Sequence, residues 1–487
     1  MDPRFHGDDN KMPNINPKKS IQPETISAIF SIAFLSLFIL ANFFVGFVLP
    51  LYLLAVAIAF VLAVMHPRSG LLTLIFLTLI FERFFTLSPL VLGKVEYKLF
   101  LPDIIMLGIL SGLFFARLGK HKNTTKKFQL ADGLLLGFMI LNVIYYFLSV
   151  YAFGSDAYLS FSSLKNYVFY GLLYFITYLT INSREQLDRL LKFYFSGAVL
   201  ILGFVLFGIL NGEGLWTQFT PLSTEGVRIL AFPHGLYLSL VFMPMLLFAI
   251  FRKKNWLIIF SLAFAVGILG TMMRHLWVAL ALATALIYAF LKREQKISAR
   301  NILLKAIFPL IGAGILFFYL ALMLPQSKLS NTFSGVSQAL SQRSISIANA
   351  GDDESFIWRT IVWRSAWEKY RQNLILGIGT GQVVSVENGK YHDFIEIRNM
   401  HNSFLTILVQ FGILGIGLFL AFILVHVKML FREADFRHNF YKLTFFSILV
   451  IYSVAFMFQP YLETNLLAMF FWINLGLIRS ICEEEKI

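Results

Sequence analysis

"IRNMHNSFLTILVQFGILGIGLFL", residues 397–420, changes character within a few positions. A polar knot, Arg398-Asn399-Met400-His401-Asn402-Ser403, runs directly into an apolar stretch long enough to enter a bilayer. Similar stretches recur along the chain, each of about 17–25 mostly apolar residues. They fall near 25–44, 46–65, 70–87, 101–117, 131–153, 166–181, 188–210, 230–251, 256–273, 275–291, 303–324, 402–427, 440–459 and 462–479. The stretch at 70–87 contains Glu82 and Arg83, and that at 166–181 is short. The expectation is an all-α, polytopic integral membrane protein with 12–14 transmembrane helices.

Composition agrees. Apolar residues make up 58% of the 487 positions and charged residues 14%, against about 45–50% and about 25% in a soluble domain. Mean hydropathy is +0.73. The single cysteine, Cys482, excludes a disulfide within the chain. The net charge of +14 would point to nucleic acid in a soluble protein, but here it follows topology. With the N-terminus inside, the dense basic runs "ARLGKHKNTTKK", "FRKKN", "LKREQK" and "KMLFREADFRH" all fall on the cytoplasmic side. The short outer loops hold only Arg83, Lys94, Lys98, Lys165, Arg228 and Arg274. Nucleic-acid binding loses its motive, and membrane lipids become the expected surroundings.

The chain divides into a polar, disordered cytoplasmic lead (1–24), an N-terminal transmembrane bundle (25–210), a second transmembrane part (211–324), one large periplasmic loop (325–400), C-terminal transmembrane helices (401–480) and a cytoplasmic tail (481–487). The first half of the loop, "PQSKLSNTFSGVSQALSQRSISIANAGDDE", is Ser-rich and reads as mobile. The second half, "ESFIWRTIVWRSAWEKYRQN", sets Phe356, Trp363, Trp367 and Tyr370 at helical spacing with Arg359, Arg364 and Lys369 between them. That spacing fits an amphipathic helix, lying on the outer membrane surface or packed on the tops of the spans.

Positive charges at the outer rim carry the most information, because the topology rule disfavours them there. Arg228 opens one span, Arg274 occupies a tight turn between two, and His401 opens the span after the long loop. An arginine at a span end ordinarily extends to lipid headgroups, and Asn402 or Ser403 can simply cap a helix. Neither explains three such residues on one side. Two guanidinium groups at one depth suit a pyrophosphate, which they hold through forked hydrogen bonds. A histidine beside them can take a proton near neutral pH. This chemistry suits group transfer from a lipid pyrophosphate, with no cofactor or metal called for.

Gly377, Gly379 and Gly381 in "LILGIGTGQV" lack the Gly-Lys-Ser/Thr ending of a phosphate-binding loop, and Gln382 stands where a dinucleotide fingerprint needs its third glycine. They read as a flexible turn that can offer backbone to a glycan. Glu463 and Asn465 sit at the outer end of the last span and Asp103 at the start of the fourth, as functional or capping residues. His234 and His275 read as packing residues.

Together these motifs resemble one family. "MMRHLW" is similar to the Ser-Arg-x-x-Trp signature of the O-antigen ligase and polysaccharide polymerase superfamily, with Met273 in place of the small hydroxyl residue. "WRTIVWRSAWEKYRQNLILGIGTGQ" resembles its outer-loop pattern, and "HNSFLTILVQFGILG" its His-Asn-x-x-Leu-x-x-x-x-x-x-Gly element. Around Arg228, "ILAFPHG" loosely follows the family's Gly-x-Phe-x-x-Pro-x pattern. The resemblance covers about 228–420 and implies a membrane glycosyltransferase of the GT-C type in the bacterial inner membrane, acting at the periplasmic face. Its donor would be a glycan on undecaprenyl pyrophosphate, and its acceptor lipid A–core or a growing polysaccharide. The resemblance puts catalytic roles on Arg228, Arg274 and His401, with Arg359 as the loop arginine and Asn402 as the neighbour that orients the histidine. Gly377, Gly379, Gly381 and Glu463 complete the expected substrate-binding set. The alternative is a polysaccharide transporter or flippase without chemistry, which would show inverted repeats and spans broken at mid-bilayer.

Overall fold

The computed structural model describes residues 22–45, 48–81, 90–92, 95–97, 100–119, 127–211, 232–253, 257–323, 354–388, 391–432 and 436–484, with isolated positions between 338 and 345. Residues 1–21 of the polar lead, most of the Ser-rich half of the loop and Arg228 lie outside the described residues; Pro23 and Glu24, assigned to the lead, open the first helix instead.

The chain is an all-α polytopic membrane protein. Among the described residues, six helices are long and apolar enough to cross a bilayer: Pro23–Ala41, Leu101–Leu118, Leu130–Ala152, Pro233–Arg252, Ser403–Phe431 and Leu466–Glu483. Shorter apolar helices cover Leu49–Met65, Pro67–Phe81, Ile259–Gly270, Arg274–Phe290 and Phe440–Phe456. Helices Arg184–Asn211 and Arg293–Met323 contain two further expected spans. The first helix and Arg293–Met323 turn large apolar side chains outward, among them Phe30, Leu37, Phe308 and Ile315. These faces suit contact with lipid.

The final helix, Asn465–Glu484, is buried along nearly its whole length. Phe471 and Trp472 stack against Phe419, Phe422, Tyr452 and Phe456 of the two preceding helices. The expected span 166–181 differs in form. It belongs to a helical run that begins at Ala157 and ends at Thr180, interrupted by a π-helix at Lys165–Phe169. The bulge turns Lys165, Asn166 and Tyr167 into the protein, and π-bulges of this kind are frequent at functional sites. The expected span 70–87 is helical as far as Phe81.

Among the described residues, two short antiparallel strand pairs depart from a purely helical reading, Leu90–Leu92 with Val95–Tyr97 and Val383–Asn388 with Tyr391–Glu396. The second pairs Val383 with Glu396 and Asn388 with Tyr391. It shares a small core with the loop helix Glu354–Tyr370: Val362, Ala366 and Tyr370 from the helix meet Val384, Val386 and Ile395 from the strands. One face of the amphipathic helix is thus packed against the hairpin and Val409 of helix Ser403–Phe431.

Helix Ser403–Phe431 is broken at Gly412, where φ is 66° and ψ −164°. This glycine closes the His-Asn motif. The break frees the carbonyls of Val409 and Gln410, which accept from Ile378 N at 2.9 Å and Gly379 N at 3.1 Å. Ile413 N donates to Leu374 O at 3.1 Å. The turn after the loop helix thereby reaches about 15 Å down the broken helix from its start, at about 1.5 Å per residue, with backbone groups paired as an apolar medium requires.

Candidate functional site

The site gathers around the turn Met457–Thr464, between the last two helices. Three side chains from this turn reach three expected or neighbouring site residues. Gln459 Oε1 lies 2.9 Å from His401 Nδ1. The Tyr461 hydroxyl lies 2.7 Å from His275 Nε2. Glu463 Oε2 accepts from Ser403 Oγ at 2.6 Å and its Oε1 from the Tyr167 hydroxyl at 2.6 Å. Asn166 Nδ2 donates to the Glu463 carbonyl at 2.7 Å. Pro460 stiffens the turn, since its ring fixes φ and restricts Gln459 before it.

His401 sits just ahead of its helix, with φ at 55°, in the left-handed region that non-glycine residues rarely occupy. The Trp358 ring of the loop helix stands edge-on to the imidazole, 5.5 Å between centroids. Burial pushes the imidazole below its ordinary titration range; the Gln459 hydrogen bond opposes that shift and the Arg359 charge adds to it. The ring is therefore neutral at neutral pH and able to accept a proton. Arg359 also acts electrostatically on Tyr461, so its guanidinium belongs to the same neighbourhood. Burial raises Glu463 to about 7, opposed by the hydroxyls of Ser403 and Tyr167.

The side chain that meets the His401 ring is that of Gln459. The Asn402 side chain instead caps the broken helix, accepting from Leu405 N at 3.0 Å. Arg274 is the first residue of helix Arg274–Phe290, half-buried, after a tight turn in which Met272 has φ at 57°. A cation at a helix N-terminus opposes the macrodipole by about 0.3–1 kcal/mol, so helix stability does not account for it. A guanidinium at the start of a helix suits an anion.

Gly377, Gly379 and Gly381 have φ at 70°, 86° and 70°. All three are buried in the docking turn. A Cβ on Gly377 would stand 2.6 Å from both Gly412 N and Val409 O. Thr380 between them donates N–H to Ser149 Oγ at 2.8 Å and accepts from Ser160 Oγ at 3.1 Å. The run joins the loop to the bundle; it is packed, in contrast to the flexible turn its glycines suggest.

The structure thus brings His401, Arg359 and Glu463 around one turn, with Arg274 joined to it through His275 and Tyr461. Gln459, Tyr461, Tyr167 and Asn166 escape the sequence reading, and His275 is buried against Tyr461 and Phe458, as a packing residue is. The one available signal is "FQPYLETN", with polar groups at 459, 461 and 463 at the end of a span. Among the described residues no group of three His, Cys, Asp or Glu side chains is arranged to hold a metal ion.

Residues 259–420 match the protein family described as O-antigen ligase. The match supports the O-antigen ligase and polymerase superfamily and, in general, membrane glycan transfer of that type. It covers Arg274, Arg359, the glycine run and His401, and excludes the turn Met457–Thr464 and the π-helix that brace them. No curated protein matches the chain.

Proposed function

Starting from that type of membrane glycan transfer, we propose that the chain is a glycosyltransferase of GT-C type that moves a glycan from undecaprenyl pyrophosphate to an acceptor hydroxyl at the periplasmic face of the inner membrane. The acceptor is lipid A–core in the ligase version and a growing polysaccharide in the polymerase version. The domain division of the sequence reading is kept, with the loop helix Glu354–Tyr370 beside the site through Trp358. The observation that carries the reading is His401: a neutral imidazole held by Gln459 beside the Arg359 guanidinium.

In this scheme the acceptor hydroxyl gives its proton to His401 Nε2 as its oxygen bonds to the anomeric carbon. The bond from that carbon to the phosphate oxygen breaks, and undecaprenyl pyrophosphate leaves with the electron pair. The imidazolium then returns its proton to water. Arg274, Arg359 and Arg228 neutralise charge growing on the leaving group, so the scheme draws its positive charge from side chains. A single displacement inverts the anomeric centre.

His401→Ala and Arg274→Ala, each made at normal membrane levels, are expected to lower glycan transfer at least about 100-fold, the usual scale for a lost proton acceptor or charge clamp. Transfer unchanged in both variants overturns the scheme. A deletion strain separates the versions. Full-length polymer accumulating on the lipid carrier identifies a ligase, and a single repeat unit on carrier or lipid A–core identifies a polymerase.

A further inference from the structure

We propose that Gln459 is the positioning residue of His401, fixing the tautomer and aim of the imidazole so that Nε2 is the nitrogen that takes the acceptor's proton. The inference rests on the glycan-transfer reading above, and its argument is chemical. An amide oxygen can only accept a hydrogen bond. The structure sets Gln459 Oε1, not its NH2, 2.9 Å from Nδ1; that placement assigns the ring proton to Nδ1 and leaves the lone pair on Nε2. Among the described residues, no other side chain hydrogen-bonds the His401 ring.

The Gln459 backbone is itself held: its N–H donates to Ala455 O at 3.0 Å at the close of helix Phe440–Phe456. Ser403, two residues beyond His401, gives its one hydroxyl proton to Glu463 Oε2 at 2.6 Å. Leu462 N donates to the same Ser403 oxygen at 3.3 Å. The motif and the turn therefore clasp each other at two points, side chain to ring and hydroxyl to carboxylate.

The choice of an amide over a carboxylate has a consequence. A carboxylate on Nδ1 would stabilise the imidazolium, whereas a neutral amide orients the ring and leaves it neutral. The groups around the ring bear on that balance. The loop helix contributes Arg359, whose charge disfavours the imidazolium. The turn contributes Tyr461, bonded to His275 of the helix that begins at Arg274. It also contributes Glu463, which meets Ser403 on the broken helix and Tyr167 on the π-helix rather than the imidazole.

The test uses the full chain in detergent or nanodiscs, with donor and acceptor lipids extracted from the deletion strain, and measures kcat and kcat/KM against pH. Gln459→Met is expected to lower kcat at least tenfold with KM for donor within about threefold. Gln459→Glu supplies an acceptor again, with a negative charge. It is expected to recover activity at high pH and to move the acid limb of kcat/KM upward by a pH unit or more. A merely structural role would not move that limb. Gln459→Met within twofold of wild type, or Gln459→Glu with an unmoved limb, overturns the proposal. If Gln459→Met does not fold, the limb of Gln459→Glu decides alone. His401→Ala, run in parallel, separates the two levels. Full transfer without the histidine overturns the underlying scheme, whereas inactive His401→Ala beside fully active Gln459→Met overturns only the positioning role.

Discussion

His401 stands in a backbone conformation that costs a non-glycine residue of order 1 kcal/mol, and its neighbours on both sides are tied down. Asn402 caps the helix behind it and Ser403 bonds to Glu463. Glu463 gives this arrangement a pH dependence whose sign can be stated. Its folded titration point, about 7, is above the ordinary 4.5, so the folded state binds its proton more tightly than the unfolded chain does. The resulting stabilisation is complete below about 4.5 and is lost as pH rises through about 7, an effect of at most about 3 kcal/mol at 1.36 kcal/mol per unit. The unfolding midpoint of the solubilised protein should fall between pH 5 and pH 8. Glu463→Gln, neutral throughout, should flatten that fall while keeping an acceptor for the Tyr167 hydroxyl. Equal slopes in the two proteins would remove Glu463 as the cause.

Among the elements, the broken helix and the glycine turn form one joint. Gly412 approaches the turn so closely that a Cβ there would lie 2.0 Å from Ile375 O. Its φ of 66° adds strain for any L side chain. Gly412→Ala should therefore undock the turn, losing the bonds from Ile378 and Gly379 at about 1 kcal/mol each together with about 1–2 kcal/mol of backbone strain. The expected readout is faster proteolysis within 354–400 and a lower unfolding midpoint. Gly417 lies in the same helix, and a methyl group added there would have nothing within 4 Å. Gly417→Ala should accordingly be neutral or slightly stabilising, by up to about 1 kcal/mol. If the two variants behave alike, the close approach is not what matters. Helix positions here were readable from the run of apolar residues. The break was not, because a glycine within an apolar run looks the same whether the helix continues or parts. Nor were the hairpins, although Asn388 followed by Gly389 between alternating residues is a turn signal.

At the scale of the molecule, hydropathy and charge bias made the membrane class legible, because both act locally along the chain. Arg274 and His401 stood out for the same reason, each at a rim where charge is unexpected, and Arg359 through the resemblance of the loop motif. Their supports did not, since they come from far away in sequence: Tyr167 meets Glu463 across 296 positions. The N-terminal half thus contributes to a site whose family motifs lie in the other half. The segment 157–169 reaches it four times, through Ser160 to Thr380, Ser162 to Arg398 at 2.6 Å, Asn166 to the Glu463 carbonyl and Tyr167 to the Glu463 carboxylate. What anchors this segment is the buried ion pair of Lys165 with Asp103, whose carboxylate also accepts from the Tyr170 hydroxyl and from Phe100 N, each at 2.7 Å. Removing only the cation leaves a buried carboxylate uncompensated, which typically costs about 3–5 kcal/mol. Lys165→Met should lower the unfolding midpoint and, by loosening Asn166 and Tyr167, lower glycan transfer as well. Adding Asp103→Asn removes the stranded charge and keeps an acceptor for Tyr170, so the double variant should regain most of the stability. A Lys165→Met protein as stable as wild type, or a double variant no better than the single, would show that the pair does not hold the two halves together.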